Sequence, residues 1–380
     1  MQERKTEHTM RSEQKQRWAI RIILLVILLF LLGNLYLWNK VVSPAFLPGD
    51  GHSDLSAKAC MSLPKGDGIQ VTYEGHVMEM YEYMKLTNGG GDGKVDIVTI
   101  GNGFSQGGGG SFYQDYLMEH YGLKVLNITT EYDCSALEIL NKLEGSYFMW
   151  VMMPRAVILQ CDEDELSKYT GDLTDYSEYL KEEIEENVPI HIATDTFWNE
   201  QTAIEFWPKN MFLYNARFLK SKTATVFSGK DMGGKVVRAE LNRDLFSAAG
   251  EENTLYYEEK KADPISEEDL NEINDNLNAA YAHYVPLYDL TLFLLPTPDK
   301  SDVYAPYIGA GESIEGSTED SAFDRLSALP HDYTIIDTKR ILQEELAKGN
   351  TDVYWPDSAY WSYKGYQPVM DEIVTILEQP

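Results

Sequence analysis

The chain has few cysteines and few histidines for its length of 380 residues. Its three cysteines, Cys60, Cys134 and Cys161, have no spacing typical of a metal site or a disulfide framework. Cys161 ends an apolar run, which favours a buried thiol over a reactive one. The seven histidines include no pair at metal-ligand spacing. The sequence therefore predicts no metal site and indicates no cofactor.

Basic residues are also scarce, since 32 lysines and arginines stand against 61 acidic residues and the formal net charge is −29. Phosphate groups of nucleic acids are bound mainly by Lys and Arg, so this balance argues against a nucleic-acid-binding protein. It also disfavours close docking of the acidic chain on anionic lipid. The apolar fraction of 43% is normal for a globular protein.

One long apolar run stands near the N-terminus. Residues 22–38 are apolar except for Gly33 and Asn34, which gives a segment at the short end for spanning a bilayer. Almost all nearby basic residues precede it: Arg4, Lys5, Arg11, Lys15, Arg17 and Arg21, against Lys40 behind it. The positive-inside rule then predicts a cytoplasmic tail at 1–21 and an extracytoplasmic remainder. The long leader favours an uncleaved signal anchor over a cleaved signal peptide.

The rest of the chain is predicted to be a lead-in at 39–93, with an extended tether at 41–57, and one α/β domain at 94–380. In that domain β-branched apolar runs alternate with amphipathic stretches, the pattern of a parallel sheet covered by helices on both faces. Strands are expected at 95–100, 124–129, 156–161, 288–295 and 333–337, and helices at 75–86, 112–121, 135–143, 176–187, 266–283, 338–347 and 368–377. Residues 165–285 are less regular and are predicted to be an insertion.

Three separated stretches have the pattern of a functional site. The first strand ends in Gly101-Asn102-Gly103-Phe104-Ser105, and ligands of α/β folds bind at such carboxyl ends. The second stretch reads Pro296-Thr297-Pro298-Asp299-Lys300-Ser301-Asp302-Val303-Tyr304. The third precedes the closing helix and reads Trp355-Pro356-Asp357-Ser358-Ala359-Tyr360-Trp361-Ser362-Tyr363-Lys364-Gly365.

In this order, the three stretches resemble the blocks of SGNH hydrolases that act in bacterial polysaccharide O-acetylation, the alginate O-acetyltransferase-like group. The resemblance implies a flavodoxin-like parallel sheet with the functional site at its carboxyl edge. It also implies a membrane-bound O-acyltransferase as partner, which passes acyl groups across the membrane, and a polysaccharide as substrate. In that group the first and third blocks carry a serine nucleophile, a histidine base and an aspartate.

This chain departs from the group at all three of those positions, where it has Gly103, Tyr360 and Ser358. A triad needs a hydroxyl that attacks, an imidazole that takes its proton and a carboxylate that orients the imidazole. We therefore expect a catalytically degenerate protein. In the geometry of the group, Gly103 and Tyr360 face each other, so the ring is expected either to close the site or to form the wall of a groove.

Two alternatives remain open. Ser105 is the candidate for a relocated nucleophile in an active acyltransferase or esterase, although a serine there is also typical of turns and helix caps. The other alternative is a carbohydrate-binding accessory protein, because aromatic faces stack on pyranose rings. The candidate ligand-binding residues are Gly101, Asn102, Asn127, Trp355 and Trp361.

Overall fold

The computed structural model describes residues 2–43, 54–59, 63–66, 71, 73, 77–105, 112–130, 135–145, 148–171, 173, 211–228, 231–232, 236–258, 265–309 and 321–379. The helix expected at 176–187 lies outside these residues, as do Cys60 and Cys134. Cys161 is a buried free thiol, as expected, and burial raises its pKa.

The described elements alternate between strands and helices over most of the chain. The strands are β1 Met78–Glu79, β2 Ile97–Gly101, β3 Val125–Thr129, β4 Ala156–Cys161, β5 Asp231–Met232, β6 Val236–Glu240, β7 Thr254–Glu258, β8 Thr291–Pro296 and β9 Thr334–Ile335. The helices are α1 Gln2–Leu37, α2 Asp54–Ala59, α3 Met80–Asn88, α4 Tyr113–Tyr121, α5 Ala136–Gly145, α6 Phe148–Met152, α7 Glu163–Leu166, α8 Met211–Ser228, α9 Glu267–Tyr288, α10 Lys300–Tyr304, α11 Ala322–Ser327, α12 Thr338–Ala347 and α13 Tyr363–Leu377.

A parallel sheet lies at the centre of the α/β domain. Its order is β1-β3-β2-β4-β8-β9, with every neighbouring pair parallel and the two-residue β1 as an edge addition to five main strands. In the register, Ile97 lies opposite Val125 on one side and Ala156 on the other. All residues of β2 and β4 are buried, which is why these strands are apolar almost throughout.

Successive residues of the strands point into two separate cores, because side chains alternate between the faces of a sheet. Ile97 and Phe293 belong to the core that contains α4, α12 and α13. Val98 and Leu292 belong to the opposite core, which contains α3, α5, α6, α9 and α11. The predicted α/β class, with helices on both faces of a parallel sheet, is therefore confirmed.

The boundaries of three predicted helices and one predicted strand were wrong. Helix α9 begins after Ser266, whose Oγ accepts the amide of Asp269 as its sequence pattern predicts, but it continues to Tyr288, so β8 begins only at Thr291. Helix α13 begins at Tyr363 and not at 368, because Ser362 caps it and Pro368 is tolerated inside it. Helix α3 begins at Met80, and not at residue 75 as expected.

The described parts of the predicted extended tether are helical. Trp38–Val42 forms a π-helical turn that continues α1, and α2 follows at Asp54–Ala59. Leu55 and Ala59 of α2 pack with Val236 and Tyr256 of a second, antiparallel sheet, ordered β5-β6-β7. This small sheet is part of the insertion, and Tyr257 joins it to the main core.

Helix α1 contains almost all of the apolar run, and most side chains of that run are exposed. Within residues 15–42, the most apolar window of the helix has a mean hydropathy of 2.5 and contains no buried residue, and this is the one helix among the described residues that is long and apolar enough to cross a membrane. Helix α8 of the insertion packs against the end of this span, where Trp38 and Val42 meet Met211 and Phe218.

Candidate functional site

A cleft of about 180 Å³ lies at the carboxyl ends of β2, β4 and β8, the edge where ligands of parallel sheets bind. Segments from distant parts of the chain meet there, since α2, the β2 loop, the β4 end, β7, α10 and the loop before α13 all contribute. The lining residues are Asp54, Lys58, Asn102, Phe104, Asp162, Asp164, Tyr257, Glu258, Asp299, Lys300, Ser301, Ala359 and Tyr360.

A row of polar side chains supports the floor of the cleft across three strands. The backbone N–H of Asn102 donates to Gln160 Oε1 at 2.9 Å, and Gln160 Nε2 donates to Thr297 Oγ1 at 2.9 Å. The Asn102 side chain donates to Asp162 Oδ2 at 2.9 Å, and the other oxygen of Asp162 accepts the amide of Glu165 to cap α7. The predicted residue Asn102 therefore borders the cleft, but its hydrogen bonds fix it in place.

Gly103 and Tyr360 meet at this edge, as the resemblance implies. A Cβ built on Gly103 would lie 2.5 Å from Tyr360 Oη and 3.1 Å from Cε1 and Cζ of the same ring. The Tyr360 ring packs edge-on against Phe104, with ring centroids 4.8 Å apart. The phenol thus occupies the space that a side chain at residue 103 would need. Because Tyr360 also lines the cleft, the ring both closes this position and forms part of the cleft wall.

Ser105 is fully buried behind the loop. A hydrogen bond of 2.6 Å joins its Oγ to the phenol oxygen of Tyr113, and burial raises the pKa of that phenol. A Cβ on Gly101 would lie 2.7 Å from Ser105 Oγ and closer still to Gln160, so Gly101 has to be glycine for this packing. Neither Ser105 nor Gly101 borders the cleft.

A carboxylate that the sequence analysis missed lies beside Ser358. Asp54, at the start of α2, accepts a hydrogen bond from Ser358 Oγ at 2.5 Å and one from the Ala359 amide at 2.9 Å. Ser358 Oγ also accepts the amide of Tyr360 at 3.1 Å. Asp54 and Ser358 are 304 positions apart in the chain, and the stretch around Asp54 has no periodic pattern of apolar residues. No local pattern could have paired them.

Lys300 holds the same loop from below. Its side chain is buried, and its ammonium group donates to the carbonyl oxygens of Trp355, Pro356 and Ser358 at 2.7, 2.9 and 3.1 Å. Burial lowers the pKa of Lys300 to about 7, while the carboxylates of Asp357, Asp54 and Asp352 act in the opposite direction. The lysine of the second sequence block therefore positions the third block.

The remaining predicted ligand-binding residues lie inside the protein. Trp355 and Trp361 are buried, and Trp361 packs edge-on against Phe104 and Tyr113. Asn127 is buried as well, and its Oδ1 accepts hydrogen bonds from Thr99 and Gln114 at 2.8 and 3.0 Å. None of the three borders the cleft. A sugar bound there would meet the rings of Phe104, Tyr257 and Tyr360 instead.

No described histidine borders the cleft. His283 hydrogen-bonds Glu144 at 2.7 Å, His120 stacks on Tyr116, and His331 lies near the Leu329 carbonyl. Among the described lining residues, the one serine is Ser301. The described residues thus assemble no hydroxyl–imidazole pair at this edge, which acyl transfer by a serine nucleophile requires.

Carboxylates dominate the cleft. Asp54, Asp162, Asp164, Glu258 and Asp299 line it together with Lys58 and Lys300. Lys58 Nζ lies 2.5 Å from Glu258 and 3.6 Å from Asp54. Among the described residues no group of acidic, histidine or cysteine side chains has the geometry to hold a metal ion. The arrangement offers hydrogen-bond acceptors beside aromatic rings, which suits a hydroxyl-rich, uncharged ligand better than an anion.

No family model, curated protein or solved structure matches this chain.

Proposed function

We propose that this chain is a membrane-anchored, non-catalytic accessory protein of the SGNH hydrolase-like type, which acts in the O-acetylation of an envelope or secreted polysaccharide. One observation carries the non-catalytic part. The phenol oxygen of Tyr360 lies 2.5 Å from the place of a Cβ on Gly103, so the position of the missing nucleophile is filled. Removing a triad member slows such enzymes by roughly 10⁴-fold, and here all three groups are absent.

The strand order supports the choice of family. Numbered along the chain, the five main strands run 2-1-3-4-5 across the sheet, which is the flavodoxin-like order. The loop that carries Gly103 follows the first of these strands, and the loop that carries Ser358 and Tyr360 lies against it. These are the relative positions that the resemblance implies for a nucleophile and its two partners.

The proposed partners follow from the anchor and the cleft. With the anchor crossing the bilayer at 22–38 and its N-terminus in the cytoplasm, the domain lies on the side where an exported polysaccharide is modified. A membrane-bound O-acyltransferase is the proposed partner in the same membrane. The carboxylates and the rings of Phe104, Tyr257 and Tyr360 are the proposed contacts for sugar hydroxyls and pyranose faces.

Deleting the gene in its host and measuring ester-linked acetate on the purified polysaccharide tests this proposal. We expect acetate to fall in the deletion strain and to return with the wild-type chain. The Ser105→Ala variant should restore it equally well, since a buried serine bonded to Tyr113 has no catalytic task. An unchanged acetate content after deletion would refute the O-acetylation role.

The same experiment distinguishes the proposed accessory role from the alternative of an active enzyme with Ser105 as its nucleophile. Ser105 pairs with a phenol whose pKa is raised, and a phenol of this kind is a poor general base near neutral pH. An active enzyme that uses Ser105 would lose its function in Ser105→Ala at normal protein abundance. That outcome would replace the accessory role with catalysis.

A further inference from the structure

Helix α8 lies alongside the anchor helix over several turns. The rings of Phe30 and Phe212 are stacked, with centroids 5.9 Å apart and an angle of 7° between their planes. Asn215 Nδ2 donates to Asn34 O and Oδ1 at 2.9 and 3.1 Å. Asn34 is the one polar side chain in the apolar run at 22–38, so this contact explains why an amide is tolerated there.

These contacts fix the depth of α8 relative to the anchor. The Tyr214 ring lies 5.9 Å from the Trp38 ring, at the end of the apolar run. Phe30 is eight residues before Trp38, which corresponds to roughly 12 Å along a helix axis. Half of the hydrocarbon core of a bilayer is about 15 Å thick. If Trp38 marks the interface, Phe212 therefore lies within the hydrocarbon layer beside the anchor.

The side chains of α8 change in character along its axis. Phe212, Leu213 and Leu219 are 43%, 48% and 53% exposed, and Phe212 and Leu219 lie seven residues apart on one face of the helix. Three basic residues follow from the middle of the helix, Arg217, Lys220 and Lys222, and the helix contains no acidic residue. The chain has a net charge of −29, so a helix with basic and no acidic residues stands out, and such residues are common where a helix reaches the membrane surface.

The opposite face of α8 is occupied. Met211, Asn215, Phe218 and Ser221 are buried at helical spacing against the anchor and α2, and Ser221 Oγ donates to the Ala59 carbonyl at 2.5 Å. The exposed stripe at Phe212 and Leu219 is thus continuous with the exposed apolar surface of α1, where Phe30 is 60% exposed. If lipid surrounds α1 in a membrane, the same lipid also contacts the exposed stripe of α8.

From this continuity we propose that α8 is a second lipid-contacting element. Its first two turns lie in the leaflet from which the anchor emerges at Trp38, and Arg217, Lys220 and Lys222 lie at the lipid phosphates. The acidic domain is then held at a fixed height and orientation by two helices and not by a single flexible tether. The inference depends on the membrane anchor but not on the proposed role in O-acetylation.

Depth-dependent fluorescence quenching tests the proposal on the full chain in phosphatidylcholine nanodiscs. Single variants Phe212→Cys and Leu219→Cys would carry a nitrobenzoxadiazole label, and lipids with a nitroxide near the carbonyl end of the acyl chain would be the quencher. Leu29→Cys in the anchor is the positive control, and Glu268→Cys, at an exposed position of α9, is the negative control. Labelling of the parent chain gives the background of its own cysteines. We expect both α8 positions to be quenched at least half as strongly as position 29, and position 268 not at all.

A cross-link in a separate variant checks that α8 is docked on the anchor in the nanodisc. Asn34→Cys with Asn215→Cys should be joined by a short bis-maleimide in the nanodisc, because the two side chains are in hydrogen-bond contact. Cross-linking without quenching at 212 would show that α8 is docked but away from lipid, and would overturn the proposal. A failure to cross-link would overturn it as well. The proposal would also be overturned if aqueous maleimide reached residue 212 in the nanodisc but not in native membranes. That result would mean that a protein partner, and not lipid, covers this position.

Discussion

Tyr360 Oη occupies the space beside Gly103, because a Cβ on residue 103 would lie 2.5 Å from this oxygen. Real Cβ atoms essentially never come so close to another heavy atom, so either the ring or the loop must move when residue 103 gains a side chain. The same contact leaves no room at residue 103 for the serine side chain that the resemblance implies at this position.

This contact predicts a strong coupling between the two positions. Gly103→Ala should lower the free energy of unfolding by about 1–3 kcal/mol through overpacking. In a Tyr360→Ala background the same change should have little effect, because the obstructing ring is gone. Denaturant unfolding of the four chains in detergent measures the coupling free energy. Equal effects of Gly103→Ala in both backgrounds would contradict the observed contact.

Rebuilding the triad as Gly103→Ser, Ser358→Asp and Tyr360→His should not restore esterase activity by itself. Ser358 Oγ lies 2.5 Å from Asp54, so an aspartate at 358 would bring a second carboxylate against the first. Like charges at this distance repel and raise the pKa of one carboxyl group.

Adding Asp54→Asn to the triple variant removes that repulsion. We expect the quadruple variant to be more stable than the triple variant, measured by thermal unfolding at pH 7. The quadruple variant is also the better candidate for hydrolysis of a chromogenic acetyl ester. A triple variant as stable as the wild-type chain would show that residue 358 does not face Asp54.

The elements of the sheet could be predicted because each depends on a local pattern. Ile97–Gly101 and Ala156–Cys161 are buried on both faces and are therefore apolar almost throughout, and Ser266 caps its helix by accepting the amide of the residue three positions on. The contact between Gly103 and Tyr360 could also be predicted, but only from the resemblance, which implies the relative positions of the first and third sequence blocks in the fold.

Contacts between distant segments could not be predicted in this way. Asp54 is isolated in sequence, and nothing near it shows that it binds Ser358. Trp355 and Trp361 are predicted as ligand-binding residues because aromatic rings bind sugars, but the same rings are as favourable in a core, where both lie. Composition alone does not separate these two uses of an indole ring.

Ser105→Ala should lower the free energy of unfolding by about 0.5–1.5 kcal/mol, the typical net contribution of one hydrogen bond. The lost bond is the one between Ser105 Oγ and Tyr113 Oη inside the core. Tyr113→Phe removes the same bond from the other side, so the double variant should lose less than the sum of the single losses. Additive losses in denaturant unfolding would show that the pair is not bonded.

The orientation of the anchor gives a prediction for intact cells. Basic residues cluster before the apolar run, so the domain behind it is expected outside the cytoplasm. Protease added to spheroplasts should degrade a C-terminal epitope tag and leave an N-terminal tag protected. Protection of the C-terminal tag until the membrane is lysed would reverse the orientation.

The buried Lys300 predicts a specific pH dependence of stability. Its pKa in the folded chain is about 7 because burial disfavours the charged form, whereas an exposed lysine in the unfolded chain titrates near 10.4. Between these values the unfolded chain binds a proton that the folded chain has released. The free energy of unfolding should therefore rise with pH, by at most about 1.4 kcal/mol per pH unit for one proton.

Lys300→Met is the matched variant, because it keeps the length of the buried stem and removes the titrating group. The variant should be less stable overall, since the carbonyls of Trp355, Pro356 and Ser358 lose their donor. The decisive quantity is the difference in slope between wild type and variant from pH 7.5 to 9.5, a window below the titration of ordinary tyrosines. We expect the wild-type chain to gain stability relative to Lys300→Met across this window. Parallel curves would mean that the three carbonyl oxygens hold the ammonium group charged despite its burial.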